Sequence, residues 1–344
     1  MGARQGTGRR QASSAANRRR GRAAALILAL ALATTGCTSP APADTQVPAP
    51  TTAPDGAMLT TFSYGPRPAQ TADLILPASL AASTEELRTP SETTEVEGAG
   101  ESVDVVVLVH GGGWAAEYDR SSEAPVARDL TDDGIVVWNL DYRGVGAADP
   151  ADEGGWPGTF EDVAAGLDLL PEALATVGLT PGRVAVVGHS AGGTMALWLA
   201  ARHTLPDGAP GASPLVRPDL VVTQAGVNDL LDAGAVHGSR GPVEALMGGS
   251  TSEVTDDRYD LASPTARLPL GVPTLVTTGD LDAVVLPSVA TDYAEAARAA
   301  GDDVTLAVIP GEDHLSPQNP RSGAWAAVRD WLAERGIAPA GAAR

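Results

Sequence analysis

A chain of 344 residues with 43% hydrophobic content can build one large domain or two ordinary ones around a sizeable core. Its 23 basic residues are all Arg and face 43 acidic residues, and the net charge of −20 repels phosphate backbones, which argues against a nucleic-acid partner. With one Cys there is no internal disulfide, so the fold must stand on its core.

The first 36 residues hold seven of the Arg and no acidic residue; without them, 16 basic residues face 43 acidic ones, a net of −27. An Arg-rich stretch from Arg4 to Arg22 leads into an apolar run, Ala23 to Ala33. That run is shorter than the roughly 20 residues of a membrane span and suits the hydrophobic part of a signal peptide. It ends in Thr34-Thr35-Gly36-Cys37, which resembles a bacterial lipoprotein signal whose Cys becomes the lipidated N-terminus. Residues 1–36 are thus expected to direct export, leaving a cell-surface or periplasmic lipoprotein attached to a membrane through Cys37. Residues 37–56 are rich in Pro, Ala and Thr, a composition that predicts an extended, solvated tether.

Ordered structure is expected from about Ala57. Leu59–Tyr64 and Ala72–Leu76 read as short antiparallel strands at a sheet edge, and residues 78–100 as a polar loop. Val103–Val109 is a near-continuous apolar run, the pattern of a strand buried on both faces. Similar runs follow at Ile135–Leu140, Arg183–Val187, Leu220–Thr223, Thr274–Thr277 and Val304–Ile309. Amphipathic stretches at Phe160–Ala175, Thr194–Arg202, Ser288–Ala300 and Ala324–Glu334 alternate with them. Eight strands in one such pattern, with no internal repeat, predict an α/β fold: one mostly parallel sheet with helices on both faces.

Gly188-His189-Ser190-Ala191-Gly192 fits G-x-S-x-G and falls between a predicted strand and a predicted helix. At such a junction a tight turn thrusts the Ser forward, small neighbours avoid clashes, and the helix N-terminus favours developing negative charge. Ser190 is therefore the candidate nucleophile. Upstream, Val103–Val109 runs into His110-Gly111-Gly112-Gly113-Trp114, where glycines free backbone N–H groups to face a substrate oxygen. A Ser needs a His to remove its proton and a carboxylate to orient that His. The His are at 110, 189, 203, 237 and 314, and only His314 follows the last predicted strand. For the carboxylate, Asp280 and Asp282 compete in the loop after Thr274–Thr277, with Asp229 more distant. One Cys and five scattered His give no metal-ligand spacing, and Gly-rich loops without Lys give no phosphate loop, so neither metal nor cofactor is expected.

HGGGW, GHSAGG and the acid and base in this order resemble the α/β-hydrolase superfamily across residues 57–344, most closely its esterase and kynurenine formamidase-like branch. That resemblance implies a Ser190–Asp282–His314 triad, with Asp282 preferred to Asp280. It also implies an oxyanion site from the N–H groups of Gly112, Gly113 and Ala191, Gly111 being a substitute. His110 would brace the loop, and Trp114 would line the substrate pocket. Any lid would come from residues 226–270. The implied partner is a small ester or amide. A carboxylic-ester hydrolase leads; an amidase, arylformamidase or peptidase, and a surface lipoprotein that binds without turnover, are the alternatives.

Overall fold

The apolar run that begins at Val103 becomes strand β4, Glu101–Val109, and its alternation divides it between two cores. Val105, Val107 and Val109 belong to one buried cluster, whereas Val106 and Leu108 belong to another on the opposite face. A strand wetted on neither side needs helices on both, and each buried Val or Leu contributes about 1.5–3 kcal/mol. Residues 49–53, 56–82, 100–231 and 240–342 are described by this computed structural model, all within one unit, Gln46–Arg344. Cys37, the leader segment and His237 lie outside the described residues.

The other strands are β1 (Thr51–Thr52), β2 (Met58–Ser63), β3 (Thr71–Leu76), β5 (Val136–Leu140), β6 (Leu179–His189), β7 (Leu220–Gln224), β8 (Thr274–Gly279) and β9 (Val304–Ile309). They form one sheet in the order β1-β2-β3-β5-β4-β6-β7-β8-β9. From β5 to β9 every pairing is parallel, and β1, β2 and β3 add an antiparallel edge. All eight expected strands are present. The ninth, β1, pairs Thr51 with Leu59 and Thr52 with Met58, so sheet structure begins inside the segment expected to be tether.

Helices α1 (Ala124–Asp132) and α8 (Gly323–Glu334) cover the face that carries Val106 and Leu108. The opposite face is covered by α2 (Gly158–Asp168), α3 (Leu170–Ala175), α4 (Ala191–Ala201) and α7 (Pro287–Ala300). The single helix expected over Phe160–Ala175 is two, joined at Leu169, because Pro171 brings no N–H to continue the ladder. Helix α4, expected from sequence to be amphipathic, is instead buried at every position, with apolar residues all round it. The described part of 226–270 holds α5 (Arg240–Met247) and the short α6 (Arg258–Ala262).

Candidate active site

Strand β6 ends at His189 and helix α4 begins at Ala191, so Ser190 has to reverse the chain alone. It does so at φ 54° and ψ −120°, left-handed for a residue with a Cβ. The turn closes only because its glycines have no side chains. A Cβ on Gly188 would sit 2.0 Å from the Gly192 carbonyl oxygen, and one on Gly192 would sit 2.0 Å from that of Val109. The Ser190 N–H donates to the Gln224 carbonyl of β7 at 2.8 Å, so the neighbouring strand holds the strained residue in place.

The loop after β9 brings His314 to this serine. His314 Nε2 is 3.0 Å from Ser190 Oγ, and Nδ1 is 2.8 Å from Asp282 Oδ2. The Asp282 side chain is 0% exposed, and its other oxygen accepts the N–H groups of Val284 and Val285 at 2.8 and 2.9 Å. Asp280 is exposed and accepts the Gly311 N–H at 2.6 Å, which ties the loop after β8 to the loop after β9. Asp229 accepts from the Leu231 N–H and the Ser263 hydroxyl. Of the three carboxylates weighed from sequence, the structure brings Asp282 to the histidine.

The glycine loop borders the same cleft as His314. Gly112 and Gly113 have φ of +99° and +61°, which turn their N–H groups away from the strand direction. Those two N–H groups and that of Ala191, at the first turn of α4, have no acceptor among the described residues and border one cleft with Ser190 and His314. The cleft has a volume of about 370 Å³. Buried His110 fixes the loop from behind. Its Nδ1 is 2.8 Å from the Gly111 carbonyl oxygen, its Nε2 is 3.1 Å from Asp141, and its ring stacks on Tyr142 at 4.1 Å. Arg120 pairs with both Asp141 and Asp73 at 3.0 and 2.7 Å, so the brace extends to the sheet edge. Trp114 borders the cleft and is 1% exposed, with its indole N–H unpartnered among the described residues.

One residue of the site is not marked by the motif that contains it. His189 is buried, and its Nε2 is 2.7 Å from the backbone carbonyl of His314. A carbonyl only accepts, so Nε2 is the donor. Burial, followed by the charge of His314, pulls the His189 pKa down to about 4, so the ring is neutral when it makes this bond. The residue in the variable position of the elbow thus holds the loop that carries His314. The only signal in the sequence is the residue type itself, because the carbonyl it meets is 125 positions away.

Such a constellation can move a proton from serine to imidazole and hold negative charge on a neighbouring oxygen. Residues 95–296 match the BD-FAE family. No curated protein matches the chain in sequence. Among solved structures, it is similar to esterase B from Lactobacillus rhamnosis, with a TM-score of 0.64, 20% identity, and coverage of 82% of this chain and 85% of that one. It is also similar to a propionate-bound thermophilic esterase of Thermogutta terrifontis, with a TM-score of 0.59, 18% identity, and coverage of 81% and 95%. A bifunctional GH43-CE protein of Bacteroides eggerthii superimposes with a TM-score of 0.62 at 20% identity; 82% of this chain spans 38% of that longer one. At these identities the likeness establishes the fold, that of an α/β-hydrolase.

Proposed function

This chain belongs to the BD-FAE family, of esterase type, and from that premise we propose that it hydrolyses carboxylic esters through an acyl-enzyme on Ser190. The observation that carries the proposal is the unbroken run from Ser190 Oγ through His314 to Asp282, at 3.0 and 2.8 Å. His314 Nε2 takes the Ser190 proton as Oγ forms a bond to the ester carbonyl carbon. The oxyanion so formed accepts from the N–H groups of Gly112, Gly113 and Ala191. The imidazolium then gives its proton to the alcohol oxygen as the carbon–oxygen bond breaks. A water molecule, deprotonated by His314, attacks the acyl carbon and releases the acid and the serine. Asp282 keeps the Nδ1–H tautomer throughout. Arylformamidase or amidase chemistry on the same residues is the other reading, carried by the HGGGW resemblance to kynurenine formamidase-like enzymes.

A fluorophosphonate probe should label the protein, and Ser190→Ala should abolish labelling; labelling that survives the substitution refutes the nucleophile. Turnover of p-nitrophenyl acetate in preference to anilides and N-formylkynurenine supports the ester reading, and the reverse preference moves the protein to the amide side. The Arg-rich leader, the apolar run and Cys37 support export, with a lipid on Cys37 as the membrane anchor. Cys37→Ala should move the protein from the membrane fraction to the soluble one, and an unchanged distribution would defeat the anchor.

A further inference from the structure

Besides Ser190, His189 and His314, the cleft is bordered by the hydroxyls of Tyr118 and Ser122 and the amide of Gln318. Tyr118 stands at the rim, 49% exposed. Ser122 and Gln318 are half-buried, and both are held from behind by one buried carboxyl, that of Glu123. Two turns far apart in the chain meet there. Ser122 and Glu123 end the turn Arg120–Glu123, and Gln318 ends the turn Ser316–Gln318 in the loop that carries His314. The Gln318 amide donates to Glu123 Oε1 at 3.1 Å, and Ser122 Oγ lies 3.5 Å from the same oxygen, so the two side chains stand side by side.

That contact fixes which way the amide faces, because its nitrogen must turn toward the accepting Glu123. An amide has two N–H groups and a carbonyl oxygen. Gln318 uses one N–H on Glu123, and its side chain makes no other hydrogen bond among the described residues. One donor and one acceptor are thus left at the cleft. Ser122 gives its O–H to the Asp119 carbonyl at 3.1 Å, which leaves its oxygen free to accept. A hydroxyl answers such a pair, since it accepts from the N–H and donates to either oxygen.

On the ester reading proposed above, on which this step rests, His314 hands its proton to the leaving oxygen. The alcohol therefore departs beside the loop that carries Gln318. We infer that Gln318 and Ser122 are specificity-determining residues, which hydrogen-bond a hydroxyl carried by the alcohol part of the ester next to the scissile bond. The substrate is then a monoester of a diol or polyol, open-chain or ring. Water reaches these half-buried groups when the hydroxyl is absent, so the gain is that of one or two neutral hydrogen bonds, about three- to thirtyfold in kcat/KM.

The test uses the full chain and small acetates. 2-Hydroxyethyl acetate carries a hydroxyl where propyl acetate has a methyl, and 2-methoxyethyl acetate keeps the electron-withdrawing oxygen without its proton. The hydroxyethyl ester should exceed the propyl ester by about three- to thirtyfold in kcat/KM, with the methoxyethyl ester between them. Gln318→Met, close in size, and Ser122→Ala should each bring the hydroxyethyl-to-propyl ratio toward one. The ratio is read within each protein, so a loss of overall activity from a shifted loop does not move it. Glycerol monoacetate and a monoacetylated methyl pyranoside should both exceed propyl acetate, and the faster of the two tells an open-chain polyol from a ring. Equal rates for the hydroxyethyl and methoxyethyl esters, or a ratio unchanged in both variants, overturn the inference. So does a gain that follows a hydroxyl on the acyl side, seen as ethyl 3-hydroxypropanoate over ethyl butanoate, and not one on the alcohol. Those results leave ester hydrolysis standing, whereas no turnover of any ester, with Ser190 unlabelled by the fluorophosphonate probe, overturns the ester reading and this inference with it.

Discussion

Replacing Asp282 by Asn should leave a folded protein whose histidine holds its proton on the wrong nitrogen. The structure fixes which way the amide must face. One oxygen of Asp282 accepts two backbone N–H groups, from Val284 and Val285, and an NH₂ in that position would set donor against donor twice. The amide oxygen therefore takes that place and the nitrogen faces His314 Nδ1, 2.8 Å away. An NH₂ donates, so Nδ1 must become the acceptor and the ring proton moves to Nε2, pointing at Ser190 Oγ. A protonated Nε2 cannot take the serine proton. In serine proteases the same exchange of carboxylate for amide lowers kcat about 10⁴-fold with the geometry intact, and a loss of about 10³- to 10⁴-fold is expected here with KM little changed. Asp280→Asn keeps an oxygen for the Gly311 N–H and should cost no more than about fivefold, less than one lost hydrogen bond. Initial rates on p-nitrophenyl acetate, with circular dichroism to verify folding, measure both. A larger loss in Asp280→Asn, or less than a tenfold loss in Asp282→Asn, refutes the reasoning.

His189→Phe removes the donor to the His314 carbonyl, and a buried carbonyl left unpaired costs about 1–3 kcal/mol, so kcat should fall by roughly ten- to a hundredfold. His189→Gln retains an N–H and should recover most of that loss; equal activity in His189→Phe and the wild type would remove His189 from the account. Glu123 is buried, and burial raises its pKa despite the hydrogen bond from Gln318. The folded protein therefore holds that proton to a higher pH than the unfolded chain does, and stability declines as pH rises from the unfolded carboxylate value through the folded one. Glu123→Gln, which still accepts from Gln318, should raise the urea midpoint at about pH 7.5 and change it little at about pH 4. An equal change at both values would contradict this.

The inner strands from Val103 onward were legible because burial on both faces favours near-continuous apolar runs, a pattern that survives without any partner in view; β9, at the sheet edge, is only partly buried. That Ser190 and His314 would meet was legible because the turn needs its glycines and because His314 alone of the five histidines follows the final predicted strand. What escaped is what depends on a distant partner. Thr51–Thr52 becomes a strand only by pairing with β2, and nothing in a Pro-, Ala- and Thr-rich stretch announces that. Asp280 and Asp282 stand two residues apart in similar company, so spacing left both open; the family resemblance preferred Asp282, which the fold buries against the histidine, with Asp280 on the loop surface. The brace of Arg120, Asp73 and Asp141 behind His110 joins three separate segments of chain, so no local spacing could reveal it.

The sheet order has a consequence in time. Ser190 stands at the end of β6, but the carboxylate and the imidazole arrive with the loops after β8 and β9, on the far side of β7. On the mechanism proposed above, a chain made from its N-terminus onward therefore exposes Ser190 before the two loops that bring Asp282 and His314 to it have been made. On the same mechanism, any chain cut short before β9 lacks its proton acceptor and is inert however well the rest of it folds.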